Sequence, residues 1–273
     1  MTIEAKIICD SQAFTAGPRL TTFVLRYPRF IHAEFMTHRM FSRNASSSRA
    51  IPIEKMIEII INDPAMPIYW GKNQSGMQAK EELDAEKIAY AKSMWLAAMN
   101  DAVANTKVML ALGLHKQITN RILEPWQHIT VVCSATTYKN FFKLRCHPDA
   151  QPEIAELARQ MRDLYNSTEP KETKFHLPFI KDDELLEHDS DTLIKCSVAR
   201  CARVSYLNHD GTNPSIEKDI VLHDRLCANN PGHFSPFEHV AEAQDYANRN
   251  KFDKNFQGWV QYRSTFKHES GLL

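Results

Sequence analysis

Residues 19–50 read RLTTFVLRYPRFIHAEFMTHRMFSRNASSSRA. The first ten are mostly β-branched, aromatic or apolar, and they predict a strand stopped by Pro28. Phe30, Ala33/Glu34 and Thr37/His38 then recur every three to four residues, which predicts a helix over 29–41. SRNASSSR at 42–49 reads as a loop or a helix start, because Ser and Asn side chains compete for backbone partners. Six arginines (Arg19, Arg26, Arg29, Arg39, Arg43 and Arg49) stand against one acid, Glu34, between residues 19 and 49. Guanidinium groups grip phosphate in a planar, two-pronged way. The hydroxyls of Ser46, Ser47 and Ser48 add neutral donors. A solvated basic surface is the plain alternative; the interleaved apolar residues and the serines favour an anion site.

That segment sits in a chain of zero formal charge, with 33 basic and 33 acidic residues. The balance argues against a general nucleic-acid binder. The length of 273 residues, 43% of them hydrophobic, suffices for one large core or two small ones without disulfide or metal staples. Glycine is scarce, at 8 residues, and there is no G-x-G-x-x-G or G-x-x-x-x-G-K-[ST]. Phosphates cradled by bare backbone, as in Rossmann and P-loop proteins, are therefore excluded, and any nucleotide must be held by side chains. No run of 18 apolar residues predicts a membrane span. The opening MTIEAKIICD does not resemble a signal peptide. Six scattered cysteines then read as reduced thiols of a cytoplasmic protein.

Pro52 is expected to open a short helix. Residues 63–78 read as loop. A long helix is predicted over about 78–112, with Ile88, Ala91, Trp95, Met99, Val103 and Met109 as its apolar stripe and Gly113 as C-cap. A second, 115–123, should end before Pro125. HITVVCSATTY at 128–138 fits strand and helix equally. An amphipathic helix over 149–166 would bury Ile154, Leu157, Met161 and Leu164. The polar stretch 167–192 is a candidate boundary or long connection, followed by helices at about 191–204 and 216–229. These patterns predict an α+β protein in which helix dominates.

Thr37-His38-Arg39, with seven residues between Arg39 and Ser47 and Asn44 among them, resembles the R-H-R-x7-S signature of the flavin-dependent thymidylate synthases. Two further stretches carry the same resemblance. GLHKQITNRILEP (113–125) and NFFKLRCHPDAQPEI (140–154) are similar to the family's R-x-x-L-P, N-x-x-x-L-R and A-Q-x-E-I blocks. ARCARVSY (199–206) and GHFSPFEH (232–239) are similar to A-A-R-V-S-Y and G-H-x-S-P-F-E-H. In the family the last block comes first, so the order here is circularly permuted, as happens when termini lie close together. Three positions depart from the pattern: Thr37 replaces an Arg, Glu34 a Gln and Ala45 a Glu. Residues 55–90 and the tail are not covered well.

The resemblance implies a helix-rich α+β fold with a central, mostly antiparallel sheet, one catalytic domain over 1–273, and an FAD-dependent methyltransferase. It would use NADPH and methylenetetrahydrofolate to convert dUMP to dTMP, in a homotetramer whose active sites lie where subunits meet. His38, Arg39, Asn44, Ser205, His233 and Ser235 match flavin contacts. Glu34, Ser47, Arg49, Arg121 and Arg145 match positions around the nucleotide, and Arg145, Ser47 and His38 those implied in catalysis. The chemistry agrees for Arg145. A permanently protonated group beside the pyrimidine stabilises the enolate-like charge that develops as C5 attacks an electrophile. A surface salt bridge is its plain alternative. Glu34 and His38, four apart, are expected to share a helix face as a carboxylate–imidazole pair, structural or acid–base. His38 and Arg39 would offer two cations or donors, although a lone His is often a satisfied core residue.

Other constellations are weaker. Cys196, Cys201, Cys227, His233 and His239 lack zinc-ligand spacing, and no metal is expected. None of the six cysteines sits in a recognisable nucleophile context, and Cys146, beside Arg145, is the one to watch. The aromatic tail 256–263 would form core or a subunit interface more readily than a stacking platform. A sister reaction, hydroxymethylation of dUMP or dCMP, and a non-catalytic nucleotide-binding relative are the alternatives to dTMP synthesis.

Overall fold

The computed structural model describes residues 3–14, 17–204, 208, 212–229 and 232–266. Strands β1 (Glu4–Gln12) and β2 (Arg19–Pro28) lead into a short 3-10 turn and α1 (His32–Phe35), then β3 (Ser42–Ala45). Helices α2 (Ile53–Asn62), α3 (Ala85–Ala111) and α4 (Lys116–Thr119) precede β4 (His128–Ala135). Then come α5 (Lys139–Arg145), α6 (Pro152–Ser167), β5 (Lys171–Glu172), β6 (Phe175–His176) and α7 (Glu184–Glu187). The chain closes through α8 (Ser190–Arg203), α9 (Ile216–Ala228), β7 (Ala241–Ala243), β8 (Phe252–Asp253), β9 (Phe256–Gln257) and β10 (Trp259–Gln261). The main sheet has the order β3-β4-β2-β1-β5 and is antiparallel except for the short β1–β5 pairing. Smaller sheets, β10-β7-β6 and β8-β9, flank it. This is the expected α+β architecture.

Alternation along β2 and β4 divides the molecule into two layers. Phe23, Leu25, Tyr27, Ile129, Val131, Cys133 and Ala135 point to one face, where they pack on Ile154, Leu157 and Met161 of α6. The other face, with Val132, meets Phe179, Cys201 and Val204. Both faces of β4 are covered, so its apolar run shows no clean period of two. That is why 128–138 fits helix and strand alike.

Several sequence expectations are corrected here. The helix expected over 29–41 is only a 3-10 turn and α1, because the chain turns at 36–41 to pair β3 with β4. SRNASSSR is therefore an edge strand followed by a 3-10 turn at Ser48–Ala50, not a loop. The long helix begins at Ala85, where the Asp84 carboxylate accepts from Lys87 N. After α4 a 3-10 segment, Asn120–Trp126, runs through Pro125; the ring removes a donor but tolerates this tighter, shorter turn. The stretch 167–192 is stitched into two sheets through β5 and β6. Strand β1 carried no marked periodicity, being half-buried along most of its length. The aromatic tail is core: Phe256 and Trp259 are fully buried, and Trp259 Nε1 donates to Pro18 O at 2.8 Å. Gly258 makes that possible at φ +71, where a Cβ would stand 2.6 Å from Arg249 O.

Candidate active site

The turn after α1 positions the first group. Thr37 Oγ1 donates to Glu34 O at 2.7 Å and Arg43 Nη1 to Phe35 O at 3.1 Å, which satisfies carbonyls at the helix end. His38 is thereby laid edge-to-face on Phe141, with ring centroids 4.8 Å apart, and beside Phe41. Arg145, the last residue of α5, reaches the same place. Its Nε donates to His38 Nε2 at 3.0 Å, its Nη2 lies 3.5 Å from Thr37 Oγ1, and its Nη1 lies 3.7 Å from Glu34 Oε2. Burial, then the charges of Arg145 and Arg43, push the His38 imidazolium down to a pKa of about 4. His38 is thus neutral near pH 7, and accepting on Nε2 puts its proton on Nδ1.

Two expectations change. His38 is not a second cation beside Arg39. Nor do Glu34 and His38 pair: the helix ends before His38, and Arg145 meets both.

Glu34 and Arg145 line a cleft of about 630 Å³. Its opposite wall comes from residues 67–79, including Pro67, Tyr69 and Met77. This segment is pinned to the loop that follows Arg145. Ile68 N donates to Glu153 Oε1 at 2.8 Å, Gln151 Nε2 to Glu153 Oε2 at 3.1 Å, and Gln78 Nε2 to Asp149 O at 2.8 Å. Glu153 is 1% exposed and is held by these neutral donors. Gly71 lets the wall fold on itself, since a Cβ there would stand 2.1 Å from the Ala79 Cβ. Sequence reasoning missed Tyr69, Gln151 and Glu153 as parts of a site. The scarce Gly71 within an irregular stretch was the available signal.

A second group is built on the 3-10 turn after β3. Asn120 Nδ2 donates to Ser48 O at 2.7 Å and to Ile51 O at 3.2 Å, fixing the turn against α4 and the segment that carries Arg121. Ser47 and Arg49 are exposed there, with no side-chain partner among the described residues. Arg121 is exposed and pairs with Glu124 at 2.7 Å; Glu124 also takes Arg29 at 3.1 Å. No hydrogen bond or ion pair among the described residues joins this group to Arg145.

A third group lies on the C-terminal block. His233 and Ser235 are exposed at the 3-10 turn Ser235–Glu238. Behind it runs a fully buried chain of neutral polar groups. Ser11 Oγ meets His176 Nδ1 at 2.8 Å, and Thr22 Oγ1 meets His176 Nε2 at 2.7 Å and Ser134 Oγ at 2.5 Å. Ser134 Oγ in turn meets His239 Nδ1 at 2.8 Å. These bonds clamp the turn onto β1, β2 and β4. Burial pushes both imidazoles down to about 3. Asn44 Nδ2 donates to Cys201 O at 2.8 Å, tying β3 to α8. Helix α8 ends on Val204 at φ 61, a left-handed conformation that a β-branched residue adopts only under strain. Ser205, the next residue, lies outside the described residues. Arg39 is exposed beside the first group, with no partner among the described residues.

The donor set suits an anionic dinucleotide such as FAD. Arg39, His233 and Ser235 are open donors with no other task among the described residues, and diphosphate recognition needs such groups when glycine loops are absent. Cys146 does not suit a nucleophile: burial raises its thiol above the ordinary value.

This is an α+β fold whose signature turn sets an Arg145–His38 pair beside a cleft. The family model described as thymidylate synthase complementing protein matches residues 20–171. The chain belongs to that family, the flavin-dependent thymidylate synthases. Membership gives the class of chemistry: a flavoprotein transferase for one-carbon transfer to C5 of a pyrimidine nucleotide. Among solved structures, the UMP/dUMP methylase PolB from Streptomyces cacaoi, bound with 5-Br UMP, is similar at 17% identity and a TM-score of 0.47, covering 60% of this chain and 89% of that one. The flavin-dependent thymidylate synthase ThyX from Helicobacter pylori, complexed with FAD and dUMP, is similar at 17% identity and a TM-score of 0.38, covering 53% and 67%. No curated protein matches this chain.

Proposed function

We propose that this protein transfers a one-carbon unit from methylenetetrahydrofolate to C5 of a deoxypyrimidine monophosphate, using FAD reduced by NADPH. Conversion of dUMP to dTMP is the form that family membership supports. When bound, FAD supplies the electrons that reduce the transferred methylene to a methyl group. Arg39, His233 and Ser235 hold it, with Asn44 and Ser205 assigned by their motifs. Ser47, Arg49 and Arg121 take the nucleotide phosphate, where the guanidinium groups and hydroxyl replace water around the dianion.

Arg145 lies against the base. A guanidinium is a permanent cation. Its charge stabilises the negative charge that develops on the ring as C5 attacks the one-carbon donor. As the new C–C bond forms and the methylene is released from the folate nitrogen, the C5 proton leaves to solvent. His38 acts through Arg145 as a positioning residue, because a neutral imidazole can accept from Nε and fix the guanidinium plane. The observation that carries the proposal is this Arg145–His38 contact, made inside the signature turn.

No hydrogen bond or ion pair among the described residues joins the nucleotide group to Arg145, and we place the groups together across the subunits of a homotetramer in the cytoplasm. Sedimentation of the FAD-loaded protein tests the assembly: a monomer at assay concentration contradicts it. Purified protein that takes up FAD and releases label from C5 of a labelled deoxypyrimidine nucleotide fits an enzyme. FAD uptake without release would fit a non-catalytic relative.

A further inference from the structure

Helix α9 carries a face whose charges its own acids do not balance. Lys218, Val221, Leu222 and Arg225 recur at three- and four-residue spacing, so they share one side of the helix. The acids of α9 are engaged elsewhere. Asp219 is fully buried and takes Arg200 and Arg203 of α8. Glu217 turns to Ser215 and His188. Asp224 lies 2.9 Å from His223 and 3.6 Å from Lys195. Lys218 and Arg225 are exposed and have no side-chain partner among the described residues.

These two cations line a pocket of about 500 Å³ between α8 and α9. Arg203 and Asn208 complete its polar lining, and Val221, Leu222 and Leu226 give it an apolar side. Its described lining therefore holds three cations and no carboxylate. The Arg203 side chain is only 7% exposed. Its Nη2 donates to Asp219, but its Nε–H is buried without an acceptor among the described residues. A buried charged donor left without an acceptor marks the place of a missing partner. Gathered cations also repel one another until an anion enters. Guanidinium and ammonium groups together are the usual ligands of phosphate. The volume falls in the range of small-molecule sites.

We propose that this pocket binds a phosphate group, free or carried by a small molecule whose apolar part lies on Val221 and Leu222. Lys218 and Arg225 hold the anion, and Arg203 adds its charge from the buried side. None of these residues belongs to the groups assigned above to FAD, to the nucleotide phosphate or to the base. Leu226 O accepts from His233 N at 3.1 Å, so the pocket is tied to the C-terminal block without using the open donors of that block. It is a further anion site, and it does not depend on the reaction proposed above.

The test follows Lys218 by NMR in FAD-loaded protein whose lysines carry isotope-labelled methyl groups, a modification that keeps their charge. The Lys218 signal is the one missing from Lys218→Gln. Inorganic phosphate is titrated at constant ionic strength. The expected result is a saturable shift that chloride does not produce. Its affinity should be roughly tenfold weaker in Arg225→Gln, where a hydrogen bond between charged groups is lost. Titrating dUMP and NADPH in the same way separates the sources. Tighter binding than inorganic phosphate identifies a nucleotide, and equal or weaker binding the free ion. A shift that chloride reproduces, or an affinity that Arg225→Gln leaves unmoved, would overturn the site. A phosphate response confined to FAD-free protein would merge the pocket with the cofactor's site and overturn its independence.

Discussion

Arg145 Nε donates to His38 Nε2 across 3.0 Å, and this bond joins the end of α5 to the signature turn. Burial first, and then the nearby guanidinium, disfavours the imidazolium and keeps His38 neutral. Removing that charge has a readable effect. In Arg145→Gln, the His38 pKa should rise from about 4 toward the ordinary imidazole range, followed by proton NMR of the ring. A His38 titration that does not move would show that burial alone sets it.

Arg145→Ala should lower turnover by at least about a hundredfold, the scale on which a group stabilising developing charge is worth several kcal/mol. FAD binding should be largely unchanged, since the open donors Arg39, His233 and Ser235 lie on other elements. Flavin absorbance after gel filtration separates the two effects. Wild-type turnover in the variant would remove Arg145 from the chemistry.

Stability should fall on acidification. His176 and His239 are fully buried and titrate at about 3 in the folded protein, against about 6.5 in the unfolded chain. Between those values the unfolded chain binds protons that the folded chain refuses, so stability drops as pH drops. Above about 6.5 neither group contributes. By pH 5 the loss is on the order of 2 kcal/mol for each imidazole. Urea midpoints taken from pH 7.5 down to pH 5 check this; a flat profile would contradict the buried neutral pair.

The same chain of bonds predicts a sharp contrast at Thr22. Thr22→Val keeps the shape but leaves His176 Nε2 and Ser134 Oγ without their shared hydroxyl. Unpaired buried polar groups cost about 1–3 kcal/mol each. Thr22→Ser keeps the hydroxyl and should cost under about 1.5 kcal/mol, the range for losing one methyl. Equal losses in the two variants, measured by urea unfolding, would show that the hydroxyl does not matter.

Arg200 is 1% exposed and holds Asp219 at 2.8 Å and Glu184 at 2.6 Å, with Asp219 fully buried. Arg200→Met should cost about 3 kcal/mol or more, because it strands a buried carboxylate with only Arg203 beside it. Thermal unfolding at neutral pH measures it; a change of under about 1 kcal/mol would mean the ion pairs are not sustained in solution.

Strand β2 was legible because its β-branched and aromatic run ends at a proline, and α6 because one face alternates cleanly with solvent. Strand β4 was not, since burial on both faces erases the period. The turn at 36–41 was hidden because His38 continues the helical spacing of Phe30 and Glu34, and only the pairing of β3 with β4 pulls it out. Within the site, Glu34, Thr37, His38 and Arg145 were legible as motif residues. Their arrangement was not: a sequence cannot show that Arg145, over a hundred positions away, comes between Glu34 and His38. Tyr69 was invisible because its wall of the cleft is irregular backbone that leaves no periodic trace; Glu153, in the first turn of α6 and inside the A-Q-x-E-I block, was visible as a motif residue but not as the anchor of that wall.

Release of label from C5 tests the central claim most directly. FAD-loaded protein is given C5-tritiated dUMP or dCMP with methylenetetrahydrofolate and NADPH, and tritiated water is counted. Release that requires FAD and folate, and that falls at least about a hundredfold in Arg145→Ala, is the predicted result. No release from either nucleotide by protein that has bound FAD would contradict it.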